Sequence, residues 1–88
     1  MRINDDFVVK KICDTIVVIP INSKLVEEYE PIVMNKDGGY IVQCLEEDIS
    51  FDELLMKIKE VYPNDDEEEL RQVLKAFVDN GIEEGYIC

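Results

Sequence analysis

Histidine and tryptophan are absent from this chain of 88 residues. Without histidine there is no ordinary general base near neutral pH and no Ser–His or Cys–His nucleophile pair. Zinc loses its commonest ligand besides cysteine. Cysteine is scarce: Cys13, Cys44 and Cys88 are an odd number, and no two have C-x-x-C spacing. That excludes the usual metal knuckle and redox pair. A secreted disulfide framework would not leave one thiol over. The expectation is a reducing, cytoplasmic setting, with Cys13 and Cys44 packed as small hydrophobes. Basic residues are few: nine Lys and Arg stand against 21 Asp and Glu, a net charge of −12. Such a balance argues against nucleic-acid binding by phosphate neutralisation and against docking on anionic membranes. It permits a basic partner, or high solubility alone. Long apolar runs are missing too. The longest, Ile16–Ile21, is broken by Pro20, far short of the roughly 20 residues of a membrane span. The start, Met1-Arg2-Ile3-Asn4-Asp5-Asp6, has no apolar stretch of the signal-peptide kind.

Apolar residues make up 47% of the chain, enough for one thin core. A single domain over 1–88 is expected, with no repeats and no linker. The first half reads as strands. Phe7–Ile12 and Thr15–Ile19 are β-branched runs, and Cys13-Asp14 between them suits a tight turn. The stretch 21–31 reads as a loop with at most one helical turn, and Ile32-Val33-Met34 as a third short strand.

The second half changes period. Asn35 can cap a helix that presents Tyr40, Ile41, Cys44 and Leu45 on one face. Gly38-Gly39 in its first turn costs about 1 kcal/mol per glycine relative to alanine, which points to close packing there. Ser50-Phe51-Asp52-Glu53 is a capping box, and Phe51, Leu54, Leu55, Ile58 and Val61-Tyr62 form the stripe of a second helix. A third opens at Asp66 with Glu67, Glu68 and Glu69 in its first turn, favourably placed on the helix dipole. It continues through Leu70, Val73, Leu74, Phe77 and Val78, with Asn80-Gly81 as its expected stop and Ile82–Ile87 as an extended tail. Three short N-terminal antiparallel strands followed by three helices define an α+β, winged helix-turn-helix-like domain.

Chemical motifs are few. The acid pairs fall in loops and at helix ends, where solvated charge is their ordinary role. No P-loop, G-x-G-x-x-G or metal motif is present. In a calcium loop with Gly38 at its sixth position, Val33 and Cys44 would occupy the first and twelfth, where carboxylates are required. Neither a cofactor nor catalysis is expected. What remains is an interaction surface: a free sheet edge can accept an extended peptide through its main chain. On a helical projection, Arg71, Leu74, Lys75 and Val78 share one border of the last apolar stripe. The rival use of an acidic winged-helix shape is a DNA-mimic regulator that binds a basic protein. A free edge also permits a homodimer.

The stretch Ile32-Val33-Met34-Asn35-Lys36-Asp37-Gly38-Gly39-Tyr40-Ile41 resembles the signature "hydrophobic-x-Leu-Asn-x-Thr-Gly-x-x-Ile" of the PqqD family. Ser50–Tyr62 and Asp66–Ile82 are similar to that family's two following helices, and the hairpin with Val17-Val18-Ile19-Pro20 to its N-terminal half. Asp37 departs from the usual Thr, and Phe77-Val78 from the usual Phe-Leu. The resemblance implies a recognition element that binds the leader segment of a ribosomally made precursor peptide. It would present that precursor to a modifying enzyme, often of the radical S-adenosylmethionine class. It implies a leader strand beside Ile32, Val33 and Met34, lying against the last helix, where the projection places Arg71, Leu74, Lys75 and Val78. On that reading, Val78→Asp weakens leader binding in a domain that stays folded.

Overall fold

In the computed structural model, residues 1–22, 27 and 29–88 are described. The loop expected over 21–31 therefore lies partly outside the described residues. Strands β1 (Phe7–Ile12) and β2 (Thr15–Pro20) form an antiparallel hairpin in the register Phe7↔Pro20 to Ile12↔Thr15. Its two turn residues, Cys13 and Asp14, both have positive φ, 49° and 67°. This is the handedness that matches the twist of a two-residue hairpin. The same geometry corrects one expectation: Cys13 sits exposed at the tip, and only Cys44 is partly buried.

Strand β3 (Ile32–Val33) pairs with β2 through Val17↔Val33 and Val18↔Ile32, so the sheet order is β1-β2-β3. Met34 falls outside the strand proper, yet its amide still donates to the Ile16 carbonyl at 2.9 Å. The central strand buries Ile16, Val17 and Val18.

Helix α1 (Lys36–Cys44) starts where the Asn35 side chain accepts from the Gly38 amide at 2.7 Å. Its paired glycines are there for proximity. A Cβ on Gly39 would lie 2.9 Å from Ile16 Cγ1, so α1 rests directly on β2. Helix α2 (Phe51–Val61) is capped by Ser50, which accepts from the Glu53 amide at 3.1 Å. The Glu53 carboxylate takes the Ser50 hydroxyl, where a full capping box would use the amide. Helix α3 (Glu67–Glu84) is capped by Asp66 and runs past Asn80-Gly81 to Gly85, whose φ is +95°. The expected stop at Gly81 is thus displaced by four residues. Gly81 is small for another reason: a Cβ there would lie 2.3 Å from Ile87 Cδ1. The tail folds back over it, Tyr86 and Ile87 are buried, and Ile87 bridges to Ile3. Leu45, Leu54, Leu74, Val18 and Val42 form the centre of the core shared by the sheet and the three helices.

Candidate functional site

Among the described residues, nothing pairs with the outer side of β3. Because the Met34 amide bonds to Ile16, the Ile16–Met34 pair is a hydrogen-bonded one. Alternation along an antiparallel ladder then turns the N–H and C=O of Val33 away from β2, toward the open edge. Pro31, two residues earlier, has no N–H to offer and blunts the entrance to the edge. The Val33 side chain is 69% exposed, Ile32 is half-buried and Met34 is buried. The far edge of the sheet differs, for β1 carries Lys10 and Lys11, which discourage strand pairing.

The helix beside the open edge is α3. A Cβ on Gly38 would lie 3.2 Å from Phe77 Cε2 and 3.5 Å from Met34 Sδ, so Phe77 sits next to the end of β3. A Cβ on Gly85 would lie 3.7 Å from Tyr29 Oη, which ties the other end of α3 to the chain just before β3. At helical spacing, Val73, Asn80 and Glu84 share the flank of α3 that holds Phe77. Val73 was expected in the core and is 66% exposed.

The expected helix border, Arg71, Leu74, Lys75 and Val78, is divided between the core and another face of α3. Leu74 and Val78 are buried in the core. Arg71 and Lys75 lie on the opposite flank, where they line a cavity of about 340 Å³ with Phe51, Val78 and Asp79, and no residue of β3 takes part. Arg71 faces Asp52 at 3.9 Å and Lys75 bonds Asp79 at 2.9 Å. The structure brings Ile32, Val33 and Met34 together at one edge, sets Arg71, Lys75 and Val78 on another face, and buries Leu74 next to Val73. The reason is geometric: an apolar stripe has two borders, and the sequence pattern does not say which one meets the sheet. Phe77 and Val73 were both named as stripe residues. The signal for their border was Gly38, whose lack of a side chain admits Phe77.

A second hollow, of about 300 Å³, opens where α1, α2 and α3 meet, and Val73 belongs to its wall. At its mouth the Tyr62 hydroxyl donates to the Asp37 carboxylate, and that bond holds the Tyr62 phenol above its ordinary range. Burial pushes the phenol of Tyr40 up, with Cys44 beside it, and burial does the same for Tyr86. Among the described residues, no group of three His, Cys, Asp or Glu side chains could hold a metal ion, and no helix is long and apolar enough to cross a membrane.

An edge strand with outward main-chain groups and an apolar helix flank alongside is an arrangement that can bind extended peptides. In fold, the chain matches TbiB1, whose structure is that of a complex with the TbiA(beta) leader peptide. The two superpose with a TM-score of 0.79 over 100% of each chain, at 22% sequence identity. No family model matches the chain, and no curated protein matches it.

Proposed function

We propose that this protein is a non-catalytic recognition domain of the PqqD-like kind. It binds the leader segment of a ribosomally made precursor peptide as an added strand on β3. It then presents the precursor, in the cytoplasm, to a modifying enzyme, for which the radical S-adenosylmethionine class is the one that often partners the family it resembles. One observation carries the reading: the N–H and C=O of Val33 face the open edge of β3, and Phe77 of α3 lies close to Met34 at the end of that strand. The likeness in fold to TbiB1, a protein described with a bound leader peptide, supports it. On this reading Ile32, Val33 and Met34 form the strand side of the site, and Val73 and Phe77, with Leu74 beneath them, form its helix side.

The energetics are compatible. Burying two leader side chains contributes roughly 3–6 kcal/mol. Main-chain hydrogen bonds add a modest net amount, and ordering a disordered leader takes several kcal/mol back. Affinity of micromolar order follows. The test is a titration of isotope-labelled protein with leader peptides encoded beside its gene, followed by amide shifts. Shifts centred on Ile32–Met34, Val73 and Phe77 are the expected result. A folded protein in which no candidate moves these amides would overturn the reading and turn attention to the acidic surface and a basic protein partner.

A further inference from the structure

The hollow between α1, α2 and α3 joins two kinds of surface. Its floor is apolar, with Ile41, Ile58 and Leu74 buried and Leu70 half-buried. Three carboxylates stand at its mouth, those of Asp37, Asp65 and Glu69, with no lysine or arginine among the lining residues. The nearby Lys59 ammonium is held by the Asp65 backbone carbonyl at 2.6 Å. Among the described residues, none of the three carboxylates takes part in an ion pair. The hollow also adjoins the end of β3, for Asp37 in its wall stands two residues after Asn35, where β3 gives way to α1.

We infer that this hollow takes a lysine or arginine side chain of the bound peptide, its aliphatic stem on the apolar floor and its cationic end among Asp37, Asp65 and Glu69. The inference rests on the peptide-binding reading above. Long cationic side chains divide in this way between apolar surface and water. A neutral apolar side chain would strip water from the carboxylates and return nothing to them. An acidic one would meet three like charges, within a chain whose net charge is already −12. A strand antiparallel to β3 has its N-terminal end near Asp37, so the cationic residue lies on the N-terminal side of the segment that pairs with Val33.

The test uses the full isotope-labelled chain and two small probes, acetyl-arginine amide and acetyl-citrulline amide, which have nearly the same shape and differ in charge. The arginine probe shifts the amides of Asp37, Tyr62, Glu69 and Val73, and the citrulline probe does not. Each carboxylate removed, by Asp37→Asn or Glu69→Gln, weakens the arginine probe about threefold. Equal shifts from both probes, or none from either, overturn the inference on the parent protein alone, whatever the variants do. The two readings fail separately. A leader that shifts Val33 and binds equally well with every Lys and Arg replaced by Gln removes the cationic pocket and leaves strand addition standing. A protein that takes the arginine probe and no leader removes the leader reading instead.

Discussion

Val33→Pro separates the main chain of β3 from its side chains. The Val33 amide bonds nothing in β2, because the ladder on that side runs through Met34 and Ile16. Proline therefore removes no hydrogen bond among the described residues, and edge strands are where sheets tolerate it. Ile32, the residue before it, already has the extended conformation that a following proline requires. The change in stability should stay within about 1 kcal/mol. An added peptide strand loses much more. It would exchange two hydrogen bonds with Val33, and the proline ring abolishes the donor and crowds the space where the partner's carbonyl must approach. At about 0.5–1.5 kcal/mol net per bond, the loss is about 1–3 kcal/mol, or roughly five- to 150-fold in Kd. Fluorescence anisotropy with a labelled leader measures the affinity, and a thermal melt measures the fold. Val33→Thr, which keeps both the amide and the β-branch, should bind within about twofold of the parent. A Val33→Pro protein that melts like the parent and binds the leader equally well would refute strand addition at this edge.

The other predictions concern the helix flank, the core, the hairpin tip and the phenols. Val73→Ser removes exposed apolar surface, so leader binding should weaken about fivefold, by about 1 kcal/mol, with an unchanged melt; an unchanged Kd would take Val73 out of the contact. Val78→Asp places a carboxylate in the core and should cost about 3 kcal/mol or more, read by denaturant unfolding, so it reports on folding and not on the peptide. Replacing Cys13-Asp14 by Asn-Gly relieves two residues held at positive φ and should stabilise the domain by about 1 kcal/mol; no gain in chemical denaturation would show that the turn is unstrained. Tyr40, Tyr62 and Tyr86 should ionise above the ordinary tyrosine value of about 10 in an absorbance titration. Because burial raises the folded-state pKa of Tyr86, its contribution to stability is fully present below the unfolded value and is lost as pH rises through the folded one. Tyr86→Phe should accordingly flatten that alkaline fall.

The fold was legible wherever one residue type had one local use. Asn35, Ser50 and Asp66 each cap the helix expected of them, because their side chains reach an amide three residues on and nothing tertiary competes. The glycines show the limit of local reasoning. Gly38 and Gly39 were legible as close-packing residues because helix propensity alone argued against them, and Phe77 and Ile16 occupy the space they leave. Gly81 looked like a stop signal by the same propensity, but the helix continues because Ile87 needs the room. Only the returning tail separates those two cases, and the tail is a long-range fact: Ile87 pairs with Ile3, 84 residues away in sequence.

The candidate site divides along the same line. Its strand half is local, since an apolar triplet between Pro31 and a helix cap has few alternatives to an edge strand. Its helix half depends on which side of α3 meets that edge, and a stripe of five apolar residues has two borders that look alike in projection. The border chosen first held Arg71 and Lys75, which the fold turns toward the start of α2. The border the fold turns toward β3 carries Val73, and there the argument from burial runs in reverse. Val73, in the middle of an 18-residue helix and placed by its spacing with the core, is left 66% exposed. Exposed valines scattered singly need no explanation. This one stands one turn of helix before Phe77, which sits near the end of β3, and it lines a hollow with carboxylates at its mouth. An extended peptide with an apolar residue at Val73 and a cation at Asp37 and Glu69 would satisfy all three surfaces with one chain.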